Sequence, residues 1–354
     1  MATEGANRTP GARADRPEES FLRYQLYGLT VETPLPLPCP RVTSTRAPDV
    51  RLRQGTVGQL AAARARCSRT ATPDAWFRTR ILPDGATYLR WHHLFEFLIS
   101  PDARSILYRQ ERGASLESFT VYLLGQVLSY VLLARGVEAL HGTAVLVDGE
   151  AVLLVGDSGY GKSTLAAALL GRGYPVLTDD VAALDRSRGR WRVHAGIPRL
   201  KLFPAVARKL LGETGRGVPL NHGTAKLVLP LDGARAARHA ARLRAIYVLA
   251  DPAAQRACRR PAIAPLEGQA AFLEVIRAAF NLVVVDPGRL EGQFRQAARL
   301  VADVPIRRLT YPRATRALPT VCDALLEDLA GATRQPATRP RVRRTRAEPL
   351  TLRR

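Results

Sequence analysis

The sequence predicts an α/β protein of two domains, a smaller β-rich α+β domain leading into a nucleotide-binding one. Three observations carry this. A complete phosphate-loop pattern follows an apolar strand and opens a helix. Strand-like and helix-like segments then alternate to about residue 330. Before the loop, short β-like segments are punctuated by Pro and Gly. The 354 residues fit two domains at roughly 100–200 residues each. With 46% hydrophobic and 24% charged residues the chain carries material for a core, which excludes a disordered body.

Residues 1–19 are polar, of mixed charge, and lack the apolar stretch of a signal peptide, so they are expected to form a flexible leader. The first domain, 20–115, carries β-like segments at Tyr24–Val31, Val50–Leu52, Thr87–Trp91, Phe95–Ile99 and Ser105–Tyr108. His92 and His93 are adjacent, and neighbours on a strand face opposite ways, so they are not read as ligands. A helix from about Leu116 to Ala134 leads into the second domain, 116–330. Sixteen of its residues, Phe119 to Ala134, are free of charge, but a membrane span needs about 20, so a buried helix is expected. Two apolar strands, Ala144–Val147 and Val152–Val155, flank Asp148-Gly149-Glu150, a hairpin signal. Further elements are expected as strands at Pro175–Leu177, Ala245–Leu249 and Ile306–Tyr311, and helices at Lys162–Leu170, Gly268–Phe280, Gly288–Val301 and Pro319–Leu329.

The net charge of +22 is almost all Arg, since Lys occurs only at positions 162, 201, 209 and 226. Residues 331–354 carry eight Arg and one Glu, with three prolines, and read as a disordered basic tail. No basic motif is interleaved with aromatics, which argues against a nucleic-acid-binding class. The four cysteines, at 39, 67, 258 and 322, form no CxxC pair, which argues against a zinc site or disulfide framework and fits a reducing cytoplasm.

Gly156-Asp157-Ser158-Gly159-Tyr160-Gly161-Lys162-Ser163 satisfies G-x-x-x-x-G-K-[ST] in full, and Thr164 continues into the helix. Glycines let the backbone wrap a phosphate closely, while backbone N–H groups and the helix N-terminus face the anion. Lys162 adds a point charge for the β- and γ-phosphates, and the Ser163 hydroxyl can ligate Mg²⁺. Asp179 and Asp180 follow Ser163 by sixteen and seventeen residues, one helix and one strand later. They are expected at the C-terminal rim of that strand, where α/β sheets bind ligands. Two carboxylates beside a metal–phosphate site have two natural tasks, supporting the metal's shell and accepting a proton from an attacking hydroxyl. His141-Gly142-Thr143 precedes the hairpin and by itself is as consistent with a structural histidine.

Together these pieces resemble the catalytic core of the bacterial HPr kinase/phosphorylases: His141-Gly142, the hairpin, the loop 156–163, Arg172-Gly173 and Thr178-Asp179-Asp180. The resemblance implies an HPr kinase/PEP carboxykinase-like nucleotide-binding domain using ATP and Mg²⁺, and a transferase in which Asp180 deprotonates a seryl hydroxyl. It implies active-site roles for His141 and Lys162, metal binding at Ser163 with Asp179, and possible self-association. The family's later acidic element is missing. Gly196-Ile197-Pro198-Arg199-Leu200-Lys201-Leu202-Phe203-Pro204 occupies its place without a carboxylate, which leaves the second magnesium ligand open and argues against efficient phosphorylase activity. Lys226 and the run Arg308–Arg313 resemble the divergent HPr kinase-like proteins of lasso-peptide and related bacterial gene clusters.

The expectation is therefore an ATP-dependent serine kinase acting on a protein or peptide, with Lys201 or Lys226 steadying the transferred group, and with no membrane or nucleic-acid partner. The alternative is an ATP-gated interaction protein with little transfer activity.

Overall fold

Short strands broken by Pro, Gly and Asp turns build the first part of the chain. The computed structural model describes residues 21–67, 76–212, 216–221, 224–280 and 287–334; the expected leader and nearly all of the expected basic tail lie outside the described residues. The elements of the first sheet are β1 (Leu22–Leu26), β2 (Leu29–Thr33), β3 (Val50–Gln54), α1 (Val57–Ala65), β4 (Phe77–Ile81), β5 (Thr87–Trp91), β6 (Phe95–Ile99) and β7 (Ser105–Gln110). Its order is β1-β2-β3-β7-β6-β5-β4. The pairs β2–β3 and β3–β7 are parallel and the others antiparallel.

Three sequence expectations change here. Tyr24–Val31 is not one strand but the hairpin β1–β2. Tyr27 and Gly28 take φ 54° and 80°, and two consecutive left-handed residues turn the chain back on itself. Helix α1 and strand β4 were not expected. The helix is marked by a capping box in which Thr56 and Gln59 satisfy each other's backbone N–H, and β4 by the alternation Phe77-Arg78-Thr79-Arg80-Ile81. His92 and His93 lie in the turn after β5 rather than on a strand, with His93 at φ 59°.

The expected helix at 116–134 forms in three pieces, α2 (Leu116–Tyr122), a π-turn (Leu123–Val127) and α3 (Leu128–Ala134). Ser115 caps it by accepting from the Ser118 N–H. Phe119, Leu123, Leu124, Val127, Leu128, Val131 and Leu132 bury one face in a core shared with Tyr24, Phe95 and Phe97. By length and composition this helix could cross a membrane, yet half of its apolar window is buried inside the protein.

The second sheet grows from β8 (Glu138–Val147) and β9 (Glu150–Val155), joined as expected by a tight turn with Asp148 and Gly149 at φ 52° and 77°. After α4 (Lys162–Leu170) come β10 (Val176–Thr178), β11 (Val181–Ser187), β12 (Arg190–Val193), β13 (Arg199–Leu202), α5 (Pro204–Leu211), β14 (Val218–Asn221), β15 (Thr224–Pro230) and β16 (Ala241–Leu249). The remainder is α6 (Pro252–Ala257), β17 (Ala262–Leu266), α7 (Gly268–Ala278), α8 (Pro287–Asp303), β18 (Ile306–Thr310) and α9 (Leu318–Arg334). In the eight-stranded sheet β16 runs parallel to both β9 and β18, while β8 runs antiparallel to its neighbours.

Side-chain alternation divides the sheet into two cores. Val152 and Leu154 face α4 and α9, whereas Leu153 and Val155 face α7 and α8. Strands β13, β15 and β14 form a separate three-stranded sheet. The first sheet meets the second part of the chain at the β1–β2 turn, where the Tyr27 N–H donates to the Ala195 carbonyl at 2.8 Å. Gly196 is required beside it, because a Cβ there would lie 2.0 Å from Thr178 Oγ1 and 3.0 Å from the Tyr27 ring.

Candidate active site

The aspartate pair follows the C-terminal end of β10, as expected, but that strand runs antiparallel to its neighbour β8. Strands β10 and β11 both pair antiparallel with β8; the register shifts between Val176 and Thr178, after which Thr178 opposite Ala144 and Val181 opposite His141 lie in one register. Asp179 and Asp180 occupy the break between them. Asp180 takes φ 70°, a conformation Asp tolerates better than most residues. Its carbonyl is pinned by the Gly142 N–H at 3.1 Å and by His141 Nδ1 at 3.1 Å. Gly142 is needed for the close packing of β8 on β9, since a Cβ would lie 2.8 Å from Leu153 Cδ1 and 2.9 Å from the Leu154 carbonyl oxygen. The distortion turns the two side chains to different tasks.

Asp179 points inward and is 3% exposed. Its Oδ1 accepts from the Thr143 hydroxyl at 2.6 Å and the Ser163 hydroxyl at 3.0 Å, and its Oδ2 accepts from the Lys201 N–H at 3.0 Å. Burial, and then the charge of Asp180, push its pKa above the usual carboxylate range against these hydrogen bonds. Because Ser163 spends its proton on Asp179, its lone pairs are left for a ligand in the cavity. Asp180 faces that cavity and forms an ion pair with Lys201. Burial opposes its ionisation, but the Lys201 charge and hydrogen bond, then Arg199 and His141, outweigh it and hold the pKa below the usual range.

The loop adopts the expected shape, with Gly156, Gly159 and Gly161 at φ 140°, 87° and 101° and Gly161 capping α4. Lys162 is 7% exposed and donates to the Gly156 carbonyl at 2.6 Å and the Asp157 carbonyl at 3.0 Å. Burial lowers its pKa, opposed by Asp179 and Asp180. The pKa of His141 is also lowered, by burial first and the Lys162 charge second, which favours its neutral form. The Asp180 carbonyl can only accept, which places the His141 proton on Nδ1 and leaves Nε2 as an acceptor.

A cavity of about 260 Å³ gathers Ser158 to Thr164, His141, Asp180, Lys201 and Lys226 around one space. Gly156 and Asp157 line a smaller hollow behind the loop, and Asp179 reaches the main cavity only through Ser163. Lys226 stands 5.6 Å over the Phe203 ring. Four further residues brace the site without a local sequence signal. Thr143 holds Asp179; Gln255 donates to the Tyr160 carbonyl at 2.9 Å; the Tyr311 hydroxyl closes on Gly161, where a Cβ would lie 2.5 Å from it; and Arg199 acts on Asp180 by charge. The four cysteines are free, and among the described residues no cluster of three or more His, Cys, Asp or Glu side chains forms a metal cage.

No family model matches the chain. Over 105 residues it is 32% identical to the HPr kinase/phosphorylase of Mycoplasmopsis pulmonis, covering 30% of each chain. Over 74 residues it is 36% identical to the HPr kinase/phosphorylase of Clostridium botulinum, covering 21% of this chain and 24% of that one. The chain thus matches less than a third of the length of these relatives, and over that stretch it is HPr kinase-like. Among solved structures, the HPr(Ser) kinase/phosphatase from Coxiella burnetii aligns with 55% of this chain and 92% of its own, at 14% identity and a TM-score of 0.32.

Proposed function

We propose that this chain is an ATP-dependent serine kinase of the HPr kinase-like type, acting on a protein or peptide in the cytoplasm. The observation that carries the reading is the division of labour within the aspartate pair: Asp179 buried on Ser163, Asp180 facing the cavity. Ser158–Thr164 cradles the phosphates, and Lys162 exchanges the carbonyls of Gly156 and Asp157 for phosphate oxygens. The Ser163 hydroxyl, fixed by Asp179, would hold Mg²⁺ as a hard-oxygen donor. Bound there, the metal neutralises charge on the transferring group. Asp180 accepts the proton of the seryl hydroxyl, and neutral His141 offers Nε2 as a second acceptor that orients it. The loop and aspartate pair lie in an HPr kinase/PEP carboxykinase-like domain, 116–330, preceded by the domain 20–115.

Lys162→Ala tests the nucleotide site. Losing hydrogen bonds from a charged donor costs about 1.5–3 kcal/mol, or roughly 10–100-fold in affinity. Isothermal titration with Mg-ATP is expected to show that loss in a folded variant; unchanged affinity and turnover would sink the reading. Direction is a separate expectation. Lys201 stabilises the Asp180 carboxylate, which disfavours the protonated form from which phosphorolysis starts. Phosphorylated acceptor incubated with enzyme and inorganic phosphate is expected to yield little pyrophosphate, and rapid pyrophosphate release would contradict this. The same ion pair is the one observation on the side of an ATP-gated regulator, because it occupies the carboxylate that transfer needs.

A further inference from the structure

A second cavity, of about 890 Å³, lies between the segment 37–42 of the first domain and the segments 194–199 and 228–240 of the second. Its lining carries three arginines, Arg41, Arg199 and Arg238, against the single acid Asp232; His194, also in the lining, is paired with Asp185 at 2.9 Å. Arg41, Arg238 and His239 are exposed at its mouth, while Arg199 is 8% exposed at its floor. The rest of the wall is mainly Pro, Gly, Ala and Val, side chains that leave room for a polypeptide backbone.

The groove and the phosphate-loop cavity have no lining residue in common, but both border strand β13. Arg199 and Lys201 are two residues apart on β13 and so share a face. Their cross-strand partners on β15 are Pro230 and Val228. Arg199, Pro230 and Val228 line the groove, whereas Lys201 lines the phosphate-loop cavity and pairs with Asp180. One small sheet is therefore a common wall for both spaces.

We infer that the groove receives an extended acidic segment of the phosphoacceptor, leading its serine along β13 to Asp180. The inference rests on the serine-kinase reading for the transfer step and on charge complementarity for the docking step.

The test uses the full chain and two short fluorescent serine peptides, one flanked by Glu and one by Gln, with binding read by anisotropy without turnover. The Glu-flanked peptide is expected to bind more tightly, and Arg41→Glu/Arg238→Glu to weaken it about tenfold, since each surface charge pair is worth up to about 1 kcal/mol. The Gln-flanked peptide and Mg-ATP are expected to be unaffected, as is peptide binding to a control variant, Arg259→Glu/Arg260→Glu, at exposed positions outside the groove. Equal affinity for both peptides, or an equal loss in the control variant, would overturn the inference. Displacement of the peptide from the parent by an oligonucleotide that itself depends on Arg41 and Arg238 would also overturn it. Arg-dependent binding without phosphate transfer would uphold the groove and remove the kinase reading instead.

Discussion

Asp180→Asn is expected to lower phosphoryl transfer by about 10²–10⁴-fold, the usual contribution of a general base, while Mg-ATP still binds. Asn keeps the size and the tolerance for the left-handed backbone that Asp180 needs at φ 70°. It cannot take the seryl proton, and it loses the ion pair with Lys201. Asp179→Asn differs, because Asp179 touches Thr143, Ser163 and the Lys201 N–H rather than the cavity. It is expected to raise the Mg²⁺ concentration required, since the Ser163 hydroxyl loses the group that orients it. Separate Mg²⁺ and ATP titrations of each variant distinguish the two. Normal turnover in Asp180→Asn beside a dead Asp179→Asn would reverse the roles. If neither variant changes transfer, the ATP-gated regulator becomes the better reading.

The second large effect concerns stability and is independent of activity. Glu138, at the start of β8, is 4% exposed, and its Oε1 has no hydrogen-bond partner among the described residues. Burial pushes its pKa up to about 7, against opposing contributions from Gln293 and Arg289. In the unfolded chain a glutamate loses its proton near about 4.3. The folded state therefore holds a proton that the unfolded state has released. The stability this carries is fully present below the unfolded value and is lost as pH rises through about 7. The shift corresponds to about 3.5 kcal/mol. Glu138→Gln, neutral throughout, is expected to match the parent near pH 4 and to exceed it by about that amount at pH 8. Urea unfolding of both proteins at the two values measures it. A variant no more stable than the parent at pH 8 would show that Glu138 ionises without penalty in the fold.

Local chemistry made much of the site legible. The loop 156–163 is read from its glycines and Lys162 because backbone conformation and phosphate geometry permit few alternatives. The β8–β9 hairpin is read from Asp148-Gly149, whose left-handed turn few other residues supply cheaply. Helix α4 lies where the phosphate loop and its helix-forming residues place it, while α7, α8 and α9 are found with ends displaced by a few residues because helix ends fray. The β1–β2 hairpin was missed because Tyr27, a bulky residue, adopts the left-handed conformation beside Gly28, and nothing in its own chemistry announces that.

The sequence by itself determined that this chain carries a phosphate-binding loop, a helix behind it and an acidic pair downstream. Tertiary structure decided what the pair does. The shared register of β10 and β11 along β8 places Asp179 under Ser163, and the left-handed turn at Asp180 sends the next carboxylate to the opposite side. It also decided that Lys201, rather than Lys226, meets Asp180, because the pairing of β13 with β15 sets which face of that strand looks at the break. Spacing along a chain fixes which groups are close in sequence. Which of them share a charge or a proton depends on the register between strands distant in sequence, and that is set only when the sheet forms.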